Sequence, residues 1–401
     1  MATGLRALRK IQIGEEAIKG TAVAATAALL GVLTMKDTPT IHRPVEERGT
    51  LAEFSRSVKV ANLAELSFEG DATFEQILYL LHMGVLGNVT ASGAGAAKEW
   101  VFTPAMTAAG VFDSFTIEFG DDVEQWEAEY CMASQIEISG AMNEPMKMSG
   151  TIFGRKMTVC DFTASLTPPT VESILTQKAR LYIDDEDGSI GGTVKSDTLI
   201  AFTYPINTGL APKRFSDGSI DYSDYAETYK GVDLKMTFAF NAGAETERLK
   251  FDGTTQRLVR IEAIGTEAQT DEDSTSAVGV GDWTANATAL LVTNITNLTA
   301  DRVIEVDTEK ILVTALTDAT HIVGVRGYEG TTAATHAAAT ALMIVHDKRL
   351  RLDFCGIYTD WATLSERDGE DIVEVTLSPE RGTTYTKLFE VLVINKVSSL
   401  P

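Results

Sequence analysis

The chain has 401 residues, with 34 lysines and arginines against 57 aspartates and glutamates, so its formal net charge is −23. This balance excludes a tight binder of duplex phosphate, because affinity for a polyanion depends on clustered basic side chains. The apolar fraction of 44% and the charged fraction of 23% are typical of a folded globular protein, and the length predicts two or three domains. Cys131, Cys160 and Cys355 are odd in number and far apart, which indicates neither a disulfide framework nor a cysteine zinc site.

The most apolar stretch of the chain is residues 21–35, which are rich in alanine and threonine. This stretch is shorter than the ~20 residues that a membrane-spanning helix needs. Basic residues precede it, as in a secretion signal, but Glu15 and Glu16 interrupt that pattern. We therefore expect a soluble protein that has no membrane partner.

Alternation of apolar and polar residues dominates the chain. It is clearest at residues 135–139, 259–263, 349–354 and 373–377. A period of two residues is typical of strands with one buried face and one wetted face. The alternation predicts a protein made mainly of β-strands.

Two short segments have the spacing of an amphipathic helix. Residues 74–83 place four apolar side chains on one face and follow two possible capping residues, Asp71 and Thr73. Residues 244–251 have the weaker pattern, with two glutamates in the first turn, where the helix dipole favours acidic side chains. We expect one short helix at each segment.

The order of predicted elements repeats along the chain. Each half has a strand and then a long polar segment, residues 36–57 in the first half and residues 205–230 in the second. A strand, a short helix and antiparallel strands follow in both halves, with Leu66-Ser67-Phe68 and Met236-Thr237-Phe238 expected in equivalent places. The repeat predicts an internal duplication.

A segment of different composition interrupts the second half. Residues 267–276 form an acidic polar linker, and residues 277–346 are rich in alanine and threonine, with several short strand patterns. A surface loop tolerates such an insertion well. We therefore expect a first unit at residues 1–165, a second, discontinuous unit at residues 166–266 and 347–401, and a small inserted β domain at residues 267–346.

The search for catalytic and metal-binding motifs is negative. The chain has no phosphate-binding loop, no H-E-x-x-H and no G-x-S-x-G, and its five histidines (His42, His82, His321, His336 and His346) have no metal-ligand spacing. The acidic run at residues 184–187 lacks the first ligand of a calcium loop, because Ile183 occupies that position, so a solvated turn is expected. We expect Cys131 and Cys160 to be buried, His82 to have a packing role, and the chain to have no cofactor and no enzymatic activity.

Three segments point to one class of protein. Residues 14–22 read GEEAIKGTA, and residues 66–84 combine a strand, a helix and a closing glycine. Residues 309–313 read EKILV, and an R-G-x-x-G-T-x-A-x-x-H sequence follows at residues 326–336, with Ala339 where a glycine often stands. The first two segments resemble the tail tube (major tail) proteins of long-tailed bacteriophages. The third resembles a β module that recurs in phage structural proteins.

The resemblance implies two tandem tail-tube-type β-sandwich or barrel units, each with a short flanking helix, and an inserted β domain on the outer surface. Stacked rings of such units form the tail tube, through which DNA passes into the host. Because tube units usually form six-fold rings, two units per chain imply three chains with pseudo-six-fold symmetry; six chains per ring is the alternative. The implied partners are further copies, the tape measure protein, the tail terminator, distal tail or baseplate proteins and transient DNA. The implied location is the virion, and the host cytoplasm during assembly.

The resemblance also implies roles for two groups of residues. The two long polar segments are expected to reach the adjacent ring and to form ion pairs there, through Arg43, Glu46, Glu47, Arg48, Lys213, Arg214, Asp217 and Asp221. The turn of the inserted module is expected to contain Arg326, Gly327, Gly330, Thr331 and His336.

The net charge suggests how DNA would pass through such a channel. An acidic lumen repels phosphate at short range, so we expect lumen-facing positions to be mostly acidic or neutral polar. The alternative is that the charge of −23 only keeps the subunit soluble before assembly.

Two other functions fit parts of the sequence. A capsid decoration protein or a baseplate-proximal tail protein could contain the same module. A secreted β-sandwich adhesin or carbohydrate-binding protein would need a leader and aromatic platforms for its ligand, and an aromatic content of 7% with no clear leader argues against it.

Overall fold

The computed structural model describes residues 4–92, 97–265, 272–345, 347–362, 364–367 and 369–400. Strands predominate in these ranges, which contain two α-helices, so the predicted mainly β class is confirmed. Neither helix is long and apolar enough to cross a bilayer.

The first half of the chain runs from β1 to β11 and includes α1. Its elements are β1 (Lys10–Glu15), β2 (Ala27–Leu29), β3 (Val32–Asp37), β4 (Thr40–His42), β5 (Val58–Ala61), β6 (Ala64–Asp71), α1 (Ile77–Gly84), β7 (Lys98–Phe102), β8 (Phe115–Gly120), β9 (Gln125–Ala141), β10 (Lys147–Gly154) and β11 (Met157–Cys160).

The second half begins at β12 and is interrupted by a group of six strands. Its elements before the interruption are β12 (Ala179–Asp185), β13 (Leu199–Asn207), β14 (Leu210–Lys213), β15 (Asp224–Glu227), β16 (Gly231–Val232), β17 (Leu234–Ala239), α2 (Ala242–Asp252) and β18 (Arg257–Ile264). The interrupting strands are β19 (Glu272–Ala277), β20 (Ala289–Leu291), β21 (Val303–Val306), β22 (Glu309–Asp318), β23 (His321–Tyr328) and β24 (Ala341–Ile344). The half ends with β25 (Arg349–Trp361), β26 (Ser365–Arg367), β27 (Glu370–Pro379) and β28 (Phe389–Asn395).

Eight strands form one continuous antiparallel sheet in the order β3–β6–β10–β9–β13–β17–β27–β25. The 17-residue strand β9 belongs to two layers, because its first part pairs with β8 and β11 and its second part pairs with β10 and β13. The strands of the second half therefore continue the sheet of the first half without a break.

The same six strand pairings occur in both halves. In the first half β1 pairs with β8, β8 with β9, β9 with β10 and β11, β10 with β6, and β6 with β3. In the second half β12 pairs with β18, β18 with β25, β25 with β27 and β28, β27 with β17, and β17 with β13. Each half also places its helix between the third and fourth of these strands in chain order. Both halves thus have one topology.

A matched irregularity fixes the correspondence between the halves. The β9–β10 ladder shifts register beside Ser134, whose hydroxyl donates to the Thr151 carbonyl at 3.1 Å. The β25–β27 ladder shifts beside Thr359, whose hydroxyl donates to the Thr376 carbonyl at 3.4 Å. Both shifts are β-bulges, which add one residue to one strand of the pair.

Corresponding rows of residues follow from these bulges. In the first half Gln135, Thr151, Ser67 and Thr34 face one another across four strands, and in the second half Asp360, Thr376, Lys235 and Thr203 do so. Leu66 therefore corresponds to Leu234. The equivalence expected between Leu66 and Met236 was wrong by two residues, because both choices keep the same alternation and only the ladders distinguish them.

The two helices begin at different places from those predicted. α1 begins at Ile77, and residues 74–76 before it form a turn in which the Thr73 hydroxyl accepts from the Gln76 amide at 3.1 Å, the contact expected of a capping residue. α2 begins at Ala242 because the Asn241 side chain caps the amides of Gly243 and Ala244. All residues of α1 are buried, so this helix is a central part of the core.

The six strands β19–β24 form a separate sheet in the order β19–β24–β21–β22–β23–β20. Their apolar side chains form their own cluster around Trp283, Ile304 and Ile311. The predicted linker lies partly outside the described residues, which resume at residue 272, and His346 lies outside them as well.

A buried carboxylate fastens this second sheet to the main body. The Glu262 carboxylate on β18 accepts hydrogen bonds from Arg349 at 3.0 Å, from Arg351 at 2.7 Å and from the Tyr328 hydroxyl of β23 at 2.6 Å. Glu262 is 0% exposed. Burial by itself raises the pKa of Glu262, but Arg351 and Arg349 outweigh it and hold that pKa well below its usual range.

We expect Glu262→Gln to destabilise the protein by about 3–5 kcal/mol, because Arg351 would remain buried without its carboxylate partner and Arg349 would keep only Glu329 and Asp347. Denaturant unfolding at neutral pH measures this loss, with Glu47→Gln at an exposed site as the control. A loss equal to that of the control would show that the ion cluster is not essential to the packing of the two sheets.

Candidate functional site

One face of the eight-stranded sheet is polar along its whole width. Alternate residues of each strand point to this face, and the residues between them point into the core, where Phe68, Ile138 and Phe202 are buried. The polar face comprises Val32, Thr34, Lys36, Glu65, Ser67, Glu69, Asp71, Gln135, Glu137, Ser139, Ala141, Lys147, Ser149, Thr151, Ala201, Thr203, Pro205, Asn207, Lys235, Thr237, Asp360, Glu374, Thr376 and Ser378.

Carboxylates outnumber lysines on the polar face. It contains Glu65, Glu69, Asp71, Glu137, Asp360 and Glu374 against three lysines, and most of these charged side chains are exposed. Open clefts of about 460 Å³ and 340 Å³ lie along it and are lined by residues of β9, β13, β17, β25 and β27. The face is therefore recessed, weakly acidic and open to solvent.

The ladders of β7 with β28 and of β9 with β13 join the halves of the chain. In the β9–β13 ladder Thr203 faces Ser139 and Pro205 faces Glu137. A strand of the second half thus pairs with the long strand of the first half, and the polar face continues across this junction.

The same two kinds of strand lie at the ends of the sheet and are open on one side. Among the described residues, β3 pairs only with β6, and β25 beyond Gly356 pairs only with β27. An open edge presents unpaired backbone amides and carbonyls, which can pair with another strand. The sheet therefore has two different open edges: β3, which corresponds to β13, and the end of β25, which corresponds to β9.

The correspondence of the halves specifies how these edges match. In the first half Glu137 faces Ser149. At the corresponding place in the second half the Ala362 amide donates to the Glu374 carbonyl at 2.9 Å, so Ala362 corresponds to Glu137 and Glu374 to Ser149. Because Thr34 corresponds to Thr203, Lys36 corresponds to Pro205. The internal pair Pro205–Glu137 therefore has the pair Lys36–Ala362 as its counterpart at the open edges.

The turn of the inserted module surrounds a carboxylate that the sequence did not single out. Glu309 on β22 is nearly completely buried and accepts two hydrogen bonds from Arg326, both at 2.7 Å. The amides of Gly327 and Ala334 donate to the same carboxylate, each at 2.9 Å, and His336 Nε2 lies 2.8 Å from it. The motif residues thus form one closed cluster around Glu309.

The remaining motif residues shape the loop around this cluster. Gly327 and Gly330 have φ values of 64° and 77°, a backbone region that favours glycine. The Thr331 hydroxyl accepts from the Lys310 amide at 3.0 Å and donates to the Tyr328 carbonyl at 2.8 Å. The module turn therefore has a structural role, and Tyr328 within it reaches Glu262.

The residues predicted to bridge rings in the first polar segment bond within that segment. Glu46 binds Arg48 and Arg56, with Nε–Oε distances of 2.8 and 2.9 Å. Arg43 lies over the Phe54 ring at 6.0 Å, and Glu47 is exposed. Their contacts with a neighbouring ring stay a prediction.

The residues predicted in the second polar segment are divided between local turns and the first half of the chain. Arg214 donates to the Asn62 carbonyl at 2.7 Å, and Asp221 accepts from the Asn62 amide side chain at 2.6 Å. Asp217 accepts from the Ser223 hydroxyl at 2.6 Å, and Lys213 lies 4.0 Å from Asp224. The structure does not bring the two predicted groups together.

The acidic run at residues 184–187 differs from the expected solvated turn. Asp184 is buried and accepts from the amides of Gly191 and Gly192 at 2.9 and 3.0 Å. Asp185 pairs with Lys250 at 2.8 Å, and Glu186 accepts from the Thr384 amide at 2.6 Å. These carboxylates fix loops, and their partners are too distant along the chain to be recognised from the acidic run alone.

The other titratable candidates have structural surroundings. His82 is buried against Trp100 and Phe102, with Nδ1 2.8 Å from Asp113. Cys131 is buried as expected, but Cys160 is half-buried because β11 pairs on one side only. Burial raises the pKa of Cys160 to about 11. Within the described ranges, no group of three or more histidine, cysteine or acidic residues could hold a metal ion.

Glu309→Gln should destabilise the protein by about 3 kcal/mol at pH 7. Burial raises the pKa of Glu309, but hydrogen bonds from Arg326, from two backbone amides and from His336 outweigh it and lower the pKa from 4.5 to about 2. Because the folded-state pKa is the lower one, this stabilisation is complete above about pH 4.5 and is lost as the pH falls towards 2. Denaturant unfolding across this range should show the difference between wild type and variant shrinking.

Glu370→Gln, at an exposed site, is the control for this pH series. A wild-type-to-variant difference that stayed constant between pH 5 and pH 2 would contradict the assigned role of Glu309.

The sequence matches no protein-family model and no curated protein. Three features of the structure bear on the function: the repeated topology, the polar face and the two open edges.

Proposed function

We propose that the chain is a structural subunit that closes head to tail into a ring of three copies, and that stacked rings form the tail tube of a long-tailed bacteriophage. In this proposal β3 of one copy pairs with the end of β25 in the next copy. The role is architectural and involves no catalysis, and the subunit functions in the virion after assembly in the host cytoplasm.

The observation that supports this proposal most strongly is the β9–β13 junction. One chain already joins two units of the same topology through these strands. Their counterparts, β25 and β3, are open on one side among the described residues. Repeating the internal junction between copies pairs both open edges, which removes the liability of an exposed sheet edge.

Ring closure also gives a channel of suitable width. Each copy contributes the eight strands of the continuous sheet. Three copies then contribute about 24 strands, and with strands about 4.8 Å apart and tilted by about 40° they enclose a barrel about 48 Å across between backbones. Side chains narrow this opening and still leave room for a DNA duplex.

The polar face would line the channel. Its six carboxylates and three lysines are consistent with a weakly repulsive surface along which phosphate slides without binding. Tape measure protein, tail terminator and distal tail or baseplate proteins would contact the tube inside and at its ends. The sheet β19–β24 would project from the outer surface.

Electron microscopy of the concentrated protein tests the assembly directly. We expect hollow tubes whose end-on averages have three-fold symmetry with six similar lobes, because each chain supplies two units of one topology. Strict six-fold rings would contradict three copies per ring, and a protein that stays monomeric, alone or with a tail initiator, would contradict the tube function.

A disulfide across the proposed edge tests the register. Lys36→Cys and Ala362→Cys lie at opposite ends of the sheet within one chain, but they face each other between copies in the proposed register, with Cβ atoms about 5 Å apart. Oxidation in a Cys160→Ser background should yield covalent dimers and trimers and no longer species. Denaturing gel electrophoresis of assembled protein measures this.

The matched control pairs Lys36→Cys with Glu374→Cys. Glu374 lies on the same face, but one strand further from the proposed interface, since its carbonyl accepts from Ala362. Tubes that form normally and cross-link no better through Ala362 than through Glu374 would contradict the proposed edge pairing.

A further inference from the structure

The first long polar segment ends in a hairpin that stands away from the rest of its chain. This first arm, residues 38–61, contains β4, β5 and their connecting loop. Six of its apolar side chains are exposed: Ile41, Val45, Leu51, Phe54, Val58 and Val60. An isolated two-stranded hairpin is only marginally stable in water, and a cluster of exposed apolar residues indicates a contact surface.

The second long polar segment forms a comparable hairpin, but this hairpin packs against the rest of its own chain. This second arm, residues 208–230, contains β14 and β15 and packs on the first half of its own chain. The Tyr222 ring lies 4.9 Å from the Tyr130 ring and 5.7 Å from the Phe153 ring. Arg155 donates to the Tyr222 carbonyl at 3.0 Å. Leu210 completes the same apolar cluster.

Positions in the two arms correspond when they are counted from the strand at either end of each arm. Ile41 lies five residues after Lys36, as Leu210 lies five after Pro205. Counted back from β6 and β17, Phe54 precedes Leu66 by twelve residues, as Tyr222 precedes Leu234. In both hairpins the first of these residues is a ladder position, with Ile41 facing Lys59 and Leu210 facing Glu227.

Corresponding positions differ sharply in exposure. Leu210 is 4% exposed and Tyr222 is 0% exposed, whereas Ile41 is 49% exposed and Phe54 is 41% exposed. The difference follows from chain connectivity, because the second arm has the first unit beside it and the first arm has no unit on its open side.

The second arm packs on Tyr130, Phe153 and Arg155 of the first half, a surface that we call its seat. The second half has a corresponding seat. Phe153 faces Met132 in the β9–β10 ladder, and Ser378 faces Ile357 in the β25–β27 ladder. Ile357 and Ser378 are half-buried, so part of each side chain is available for contact. Glu380, two residues after Ser378, takes the position of Arg155 and is exposed.

The first arm and its corresponding seat both have charges opposite to those of the second arm and its seat. The second arm has Asp224 where the first arm has Arg56, ten residues before Leu234 and Leu66 respectively. Asp224 and Arg155 both lie near Tyr130: the pKa of Tyr130 is raised to about 12, first by burial and then by Asp224, and Arg155 opposes this rise. The first arm therefore has a basic residue where its corresponding seat has the acidic Glu380.

We infer that the first arm of each copy packs on the second half of the neighbouring copy, with Phe54 over Ile357 and Ser378 and with Arg56 beside Glu380. The inference rests on the proposed ring, in which these surfaces become neighbours, and it identifies a second contact between copies besides the paired strand edges. The partner is another copy of this chain.

The reversed charges also make the contact selective. If the first arm entered the seat on a first half, Arg56 would meet Arg155. Placing like charges together at an interface costs several kcal/mol and suppresses the wrong pairing. Each arm therefore fits one seat, and the order of units around the ring is maintained.

Chemical cross-linking tests the placement of the arm. Phe54→Cys combined with Ser378→Cys, in a Cys160→Ser background, should give dimers and trimers with a short bismaleimide in assembled protein. Phe54→Cys combined with Val280→Cys, a fully accessible site on the inserted sheet, should give none. Equal cross-linking in the two variants, or none in either, would overturn the inference.

A charge exchange tests the selectivity. We expect Arg56→Glu to raise the protein concentration needed for assembly at least tenfold, and Arg56→Glu with Glu380→Arg to restore it to within about threefold of wild type. No restoration, or no effect of Arg56→Glu alone, would overturn the inference.

The two proposals fail in distinguishable ways. If Lys36→Cys and Ala362→Cys cross-link while the arm variants do not, the ring stands and the arm contact is wrong. If wild-type protein forms no ring, both the proposed function and the arm contact are overturned.

Discussion

The open edge of a β-sheet presents unpaired backbone amides and carbonyls with which another strand can pair, and the arrangement of this chain depends on that constraint. β9 and β13 satisfy each other inside the chain, while β3 and the end of β25 repeat their roles with one side open. Because the two open edges differ in kind, the proposed ring would pair one copy with the next in one direction only. In that ring a small number of copies would close the sheet without leaving an edge.

Two buried carboxylates maintain the geometry behind this sheet. Glu262 holds Arg349, Arg351 and Tyr328, and so joins the inserted sheet to β18 and β25. Glu309 holds the loop that contains Tyr328. The residues of the module motif are thus linked to β25. Glu309 holds the turn, the turn positions Tyr328, and Tyr328 donates to Glu262, which also binds Arg349 and Arg351 at the start of β25.

The alternation in the sequence was enough to predict the class and the long central strands. The alternation at residues 349–354, for example, lies within β25 and begins at its first residue. Edge strands such as β7 and β11 were missed, because short strands that pair on one side have little alternation. The polar face followed from the pattern, but the open edges did not, since pairing is a property of the ladders. Glu309 was missed because its partner Arg326 lies 17 residues away and a glutamate usually indicates a surface position.

The inserted sheet occurs once per chain, although the topology around it occurs twice. It lies between β18 and β25, and the corresponding link between β8 and β9 is a tight turn in which Asp121 accepts from the amides of Val123 and Glu124. In a ring of three copies, six similar units would therefore present three inserted sheets, separated by bare turns. Any receptor or polymer that recognised this sheet would meet a regularly spaced array along the whole tube. Even a weak single contact would then give strong attachment through multivalency.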